Sequence, residues 1–297
     1  MLYVDPFIPR INLLCTSVPL AACTHCRLVR SSERGANATL DLYEDFSPAP
    51  TVAPAVIANL ANHVIHVVKR KGSVPWRGSY DMYLWPFPAT TDSPGVLIGR
   101  VVPTTAGGVY TILQRSSDYE QTVMTEEESE IQWQEVCAVQ YDSHVLGSTG
   151  PREMTVIVHA VDDSGLPISP TTETKSLIER YRSGADTDPG IIVLMNKPPI
   201  FISETASYAL DFGPRITTRS VKNFQLIHPH DKDYIVMQFG KSGPDSFALD
   251  IRFPMSPIMA LGVAITSLDR KVIYNFTVVC KVEFKRTVFN LNKKFSN

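Results

Sequence analysis

No stretch of the chain approaches the roughly 20 consecutive apolar residues that a membrane-crossing helix requires. Cysteine is scarce. Cys15, Cys23, Cys26, Cys137 and Cys280 are an odd number, widely spaced along 297 residues. That excludes a disulfide framework and makes a reducing compartment the expectation. Charge of one sign is also lacking: the net charge of −2 does not suit a coat for nucleic acid, and no nucleic-acid partner is expected. Signatures of catalysis are missing as well. The chain has no Gly-x-Ser-x-Gly elbow, no Gly-x-x-x-x-Gly-Lys-Ser/Thr loop and no His-Glu-x-x-His pair. No catalytic residue, no resident metal and no cofactor is therefore expected. Leu13 to Cys23 faintly resembles the core of a secretion signal, but Asp5 precedes it and Arg10 is the only basic residue ahead of it. A non-secreted start is the expectation.

What is present is ordinary globular material, 44% apolar and 20% charged, with 22 prolines and 16 glycines scattered rather than clustered. The segment Thr39-Leu-Asp-Leu-Tyr43 alternates apolar and polar residues, as a half-buried strand does. Met154 to Val161 and Tyr208 to Phe212 alternate less strictly. Short apolar runs at Val64–Val68, Val96–Gly99, Val109–Leu113, Ile191–Met195 and Tyr234–Phe239 are bounded by turn residues. Many short strands with turns between them predict a sandwich or a barrel.

Two segments depart from this pattern. Glu126 to Glu135 is acidic and reads as a solvated loop running into a strand. Ser256 to Leu268 (SPIMALGVAITSL) reads as a helix: Ser256 is a good N-cap and Pro257 suits the first helical position. Its residues are apolar on nearly every face, as in a helix surrounded by protein.

Three groups could carry chemistry. His228-Pro-His-Asp231 offers two imidazoles and a carboxylate to a metal, but reads more simply as a polar turn between strands. Cys23-Thr-His-Cys26 has the spacing of half a zinc site without a second pair nearby, and reads as strand residues. Lys69-Arg70-Lys71, at a strand end, could hold a phosphate through charge-assisted hydrogen bonds, although on residue types alone it is an ordinary solvated turn.

His144-Val-Leu-Gly-Ser-Thr-Gly-Pro-Arg-Glu-Met-Thr-Val156 resembles the N-V-L-G-x-x-G-P-R-K-M-x-V segment of tubby-like proteins. Ser176–Tyr181, Asn196–Pro199, Ser207–Phe212, Arg215, Ser220–Gln225 and Asp233–Lys241 extend the resemblance, and Phe247 to Leu268 is similar to the family's last strand and central helix. Weaker similarity reaches back to Cys26–Arg30, so residues 24–272 are covered. The resemblance implies a mainly β (α+β) fold, a closed antiparallel barrel enclosing a central hydrophobic helix. It implies binding of membrane phosphoinositides, chiefly phosphatidylinositol 4,5-bisphosphate, rather than catalysis. It further implies an adaptor peripheral to the plasma or ciliary membrane, with ciliary transport proteins and receptors as partners and a cytoplasmic or nuclear location. The rival expectation is a protein-interaction module that keeps the barrel without binding lipid.

The family's lipid site uses a Lys and an Arg of a G-K-L-R segment and the Arg of an L-R-Q-E segment. Here these read Gly99-Arg100-Val101-Val102 and Gln132-Trp133-Gln134-Glu135. Arg100 keeps a charge, whereas Val102 and Trp133 cannot pair with a phosphate. Two lost charged hydrogen bonds are worth about 3–6 kcal/mol, or roughly 10²–10⁴ in affinity, so a weak site is expected. Lys69, Arg70, Lys71 and Arg77 compensate if they share Arg100's rim.

Domain boundaries are expected at a short N-terminal extension (1–23), the tubby-like domain (24–272) and a basic tail outside the barrel (273–297). Residues 270–297 hold seven Lys or Arg against Glu283, a net of +6, which leaves −8 for the rest of the chain. The tail reads either as a membrane-facing extension or as a stretch without selected role, from alternative splicing or an incorrect gene model. The abrupt end of the resemblance at Lys271-Val272 favours the second.

Overall fold

The structure is a computed structural model. It describes residues 13–31, 39–45, 63–70, 78–84, 95–104, 108–116, 131–142, 153–162, 167–168, 175–184, 188–203 and 207–269. The tail expected outside the barrel, Lys71 and Arg77 lie outside the described residues.

In chain order the strands are β1 (Thr24–Arg30), β2 (Thr39–Glu44), β3 (His63–Lys69), β4 (Tyr80–Leu84), β5 (Val96–Pro103), β6 (Val109–Arg115), β7 (Trp133–Tyr141) and β8 (Met154–His159). They continue with β9 (Ile191–Asn196), β10 (Ile200–Ile202), β11 (Ser207–Ala209), β12 (Phe224–His228), β13 (Asp231–Lys241) and β14 (Ser246–Ile251). Twelve of them close into one antiparallel barrel. Neighbours in sequence pair from β1 to β9, β9 pairs with β12, and β14 closes on β1. β10 and β11 form a separate two-stranded ribbon.

The strand expected over Tyr208–Phe212 is shorter than its pattern suggested. Beyond Ala209 the chain leaves the ribbon, and side chains take over as hydrogen-bond partners. Gln225 Nε2 donates to the Asp211 carbonyl at 2.7 Å, and Gln238 Nε2 donates to the Phe212 carbonyl at 3.0 Å. Gly213 then turns with φ 62°, a conformation that costs glycine little.

The two-residue period of each strand sorts its side chains. Ile65 and Val67 of β3 and Val101 of β5 point into the barrel and are fully or almost fully buried, whereas His66 and Arg100 alternate to the outside. A helix, α1 (Leu177–Gly184), packs outside on β7 and β8 through Leu177, Ala138 and Ile157. At its N-terminus Glu179 reaches back as in one half of a capping box: its Oε2 accepts from the Ser176 N–H at 2.9 Å and from the Ser176 Oγ at 3.0 Å.

The second helix, α2 (Pro257–Leu268), runs through the barrel. Ser256 Oγ accepts the Met259 N–H, and Pro257 sits where a missing N–H costs nothing. Every residue from Pro257 to Ser267 is buried, so the expectation of a helix apolar on all sides holds. Ile258, Leu261, Val263 and Ile265 each contribute about 1.5–3 kcal/mol of apolar burial. At Gly262 a Cβ would sit 2.7 Å from Ile112 Cδ1, so glycine lets α2 pass β6 this closely. Ahead of β1, Leu14 and Val18 join the same core, and the Val18 N–H donates to the Met255 carbonyl at 3.0 Å.

Candidate functional site

Of the basic residues singled out in the sequence, Lys69, Arg70 and Arg100 gather at the barrel end where α2 terminates, but on two different faces. Lys69 follows Ile65 and Val67 on the inner face of β3. Its Nζ donates to Asp269 Oδ1 at 3.3 Å and lies 5.0 Å from the centre of the Tyr80 ring. Asp269 caps α2 and is 4% exposed. A carboxylate at a helix C-terminus is opposed by the helix dipole, so it needs donors. Tyr80 OH (2.8 Å) and Tyr110 OH (3.2 Å) supply two more. Burial, and then the Asp269 charge, push the Tyr80 hydroxyl well above the usual tyrosine range. Lys222 adds a second cation at this end, its Nζ donating to the Ser267 carbonyl. It fits there because cations suit helix C-termini.

Arg70 and Arg100 lie on the outer face. The β4–β5 register sets Asp81 opposite Arg100. Arg100 Nε donates to Asp81 Oδ1 at 2.6 Å and Nη2 donates to Oδ2 at 3.2 Å. Arg70 pairs with the same carboxylate through its Nε. The two guanidiniums cover Asp81, which is 0% exposed, while the Arg70 side chain remains 44% exposed. Asp81 thus balances one of these two cations. The Arg100 guanidinium also lies over the Trp133 ring, 5.1 Å from its centre, in cation–π contact. Val102, two residues along β5 from Arg100, shares that outer face. Arg70 and Arg100 are thus brought together, Lys69 turns inward beside them, and Lys71 lies outside the described residues.

The two metal-like groups have other roles. His228 and His230 flank the β12–β13 turn, where Asp231 Oδ1 accepts the N–H groups of Asp233 and Tyr234 at 3.2 and 3.1 Å. This is the polar turn the sequence suggested. Cys26 is a buried residue of β1, its thiol pushed up to about 12 by burial and then by Glu44. His25 Nδ1 lies 2.8 Å from Asp250 Oδ1.

Residues 14–270 match the family model described as Tub family. The chain belongs to the Tub family. Tubby-related protein 1 of Mus musculus is 43% identical over 141 residues, covering 47% of this chain and 26% of its own length. Tubby protein homolog 1 of Caenorhabditis briggsae is 46% identical over 146 residues, 47% of this chain and 34% of its own. Tubby-related protein 2 of Mus musculus is 34% identical over 179 residues, 60% of this chain and 31% of its own. Each match thus spans about a third or less of the relative. The closed barrel around α2 is the tubby C-terminal fold.

Several residues of this Tub-family domain escaped the sequence reading. Asp81 and Asp269 organise the cations, yet their partners Arg100 and Lys69 are 19 and 200 positions away. The one local signal is in Tyr80-Asp-Met-Tyr-Leu84, where a single acid falls on the outward parity of a short apolar strand. The role of Arg215 was also out of reach of the sequence: it bonds Asp45 at 3.2 Å and the Cys26 carbonyl at 2.9 Å, a bracing role outside β1.

Proposed function

We propose that this domain binds phosphoinositide headgroups weakly, chiefly phosphatidylinositol 4,5-bisphosphate, through Arg100 and Arg70 on the outer rim, and that it does no catalysis. The reading rests above all on the convergence of these two guanidiniums on Asp81. Planar guanidinium forks match phosphate oxygens, and here two of them are held in place by a shared carboxylate. Lys222, held on the Ser267 carbonyl, adds a cation at the same barrel end, whereas Lys69 is balanced by Asp269. The chain also continues from Asp269 at this end into the basic stretch 270–297, where each cation near an anionic surface adds about 1 kcal/mol. Val102 and Trp133 keep the site weak. Family membership supports the wider proposal of a peripheral adaptor at the plasma or ciliary membrane, with transport proteins and receptors as partners.

A second reading, an interaction module that has lost lipid binding, is favoured by one observation: Asp81 already neutralises one of the two guanidiniums. Vesicle sedimentation across the phosphoinositides separates the two. Wild type should sediment with phosphoinositide vesicles, less as salt rises, because exposed charges are screened over about 8 Å at physiological salt. Arg100→Ala and Arg70→Ala should each weaken binding by about 10-fold. Binding that is tight, indifferent to salt, or unchanged in both variants contradicts the proposal, and no phosphoinositide-dependent sedimentation at all favours the second reading.

A further inference from the structure

Away from the basic rim, β2 and β3 carry a group of three side chains of a different kind. Asp41 of β2 stands opposite His66 of β3. His66 Nδ1 lies 2.6 Å from Asp41 Oδ1, and His63 Nε2 lies 3.0 Å from the same oxygen. His63 and His66 are three residues apart, so in a regular strand they would face opposite sides of the sheet. A register shift resolves this. Leu42 pairs with Ile65, but Tyr43 pairs with His63, so Val64 is skipped and the ladder bulges. Such a bulge re-aims a side chain. It turns His63 to the outer face with Asp41 and Tyr43, where the imidazole stacks on the Tyr43 ring with centres 4.9 Å apart and planes 25° apart. His63 is 6% exposed, and His66 and Asp41 are 19% and 21% exposed.

We propose that Asp41, His63 and His66 form a binding site for a divalent d-block cation, zinc by preference. Two imidazole nitrogens and one carboxylate oxygen are a donor set for zinc rather than for magnesium or calcium, which favour oxygen-only shells. The three ligand atoms lie within 4.8 Å of one another. Around a tetrahedral zinc with bonds of about 2.0–2.1 Å, ligand atoms sit about 3.3 Å apart, so small side-chain movements admit the ion. The Tyr43 stack orients His63 before any ion arrives. Three protein ligands leave a fourth position for water or a partner's side chain. The ion would clamp β2 to β3, three residues and about 10 Å along the strand from Lys69, on the opposite face from it. Clamping of that kind needs no lipid, so this proposal does not rest on the one above.

Zinc titration of the full chain tests it, by competition with a chromogenic chelator and by the visible absorption of the cobalt-substituted protein. Wild type should bind one zinc per chain, resist competition by magnesium and calcium, and give a tetrahedral cobalt band. In wild-type protein, zinc should shift the imidazole resonances of His63 and His66 and leave those of His228 and His230 in place. Asp41→Asn and His66→Gln should each weaken zinc binding by at least about 100-fold, while His230→Gln leaves it unchanged. Absence of binding at micromolar zinc overturns the proposal, and so do zinc shifts confined to other histidines or zinc affinity retained in both ligand variants.

Discussion

Lys69 Nζ lies 3.3 Å from Asp269 Oδ1, a pair that closes the barrel's interior at the C-terminus of its central helix. The nearest neighbour of Arg70 in sequence is therefore part of the core's electrostatics, and the two cations act on opposite faces of one strand. Lys69→Met should lower stability by about 2–3 kcal/mol, because it removes the cation paired with the buried Asp269 carboxylate. Urea denaturation measures the loss. Phosphoinositide affinity should fall much less than in Arg100→Ala. Unchanged stability with abolished lipid binding contradicts this division.

The central helix tolerates neither charge nor bulk. Ala264 is 0% exposed, so Ala264→Asp should yield no soluble folded protein. Gly262→Ala is milder, a methyl group set against Ile112, and should cost about 1–3 kcal/mol while the fold survives. Expression yield and thermal unfolding report both. A well-folded Ala264→Asp protein would sink the account of the core.

Asp81 restrains the rim it organises. Asp81→Asn removes a carboxylate bonded to both Arg70 and Arg100, and should cost about 1–3 kcal/mol of stability. The same change removes one negative charge from the cluster. Vesicle binding should therefore strengthen by about 10-fold in a protein that is less stable. Weaker binding in a folded variant would mean that the guanidiniums need Asp81 to face the headgroup.

Glu135 gives the fold a pH signature. Its Oε2 accepts the Leu177 N–H at 3.0 Å, but burial raises the carboxyl above its ordinary 4.5 by more than this bond lowers it. A carboxyl with a raised folded-state pKa binds more protons folded than unfolded. Its contribution therefore favours folding at low pH and weakens as pH rises from 4.5 through the folded value. Glu135→Gln removes this titrating carboxyl. Relative to wild type, the variant should gain stability as denaturation curves move from about pH 4 to pH 7. A gap that stays constant with pH contradicts the assignment.

Much of the fold was legible because its signals are local. The Ser256-Pro257 start and the all-round apolar run that follows fix α2 without any tertiary knowledge. The alternation of Thr39–Tyr43 places β2. The site was legible only in its cations. Arg100 stood out because its segment, Gly99-Arg100-Val101-Val102, resembles the family's G-K-L-R, and Lys69 and Arg70 because they are adjacent. Adjacency misleads on a strand, where neighbouring side chains point to opposite faces. Which acid each cation meets depends on pairings 19 and 200 residues distant. The Asp41–His63–His66 group was invisible for a further reason: it requires a bulge, and the sequence pattern by itself sets His63 and His66 on opposite sides.

The central claim, that the outer face around Arg100 is a weakened phosphoinositide site, is tested most directly by restoring what it lacks. Val102→Arg and Trp133→Arg together return both cations to that face, and a gain of binding cannot arise from misfolding. Sedimentation of the double variant with phosphatidylinositol 4,5-bisphosphate vesicles should show affinity raised by about 10²–10⁴ over wild type, and Arg100→Ala in that background should reverse most of the gain. A folded double variant that binds these vesicles no better than wild type would contradict the account.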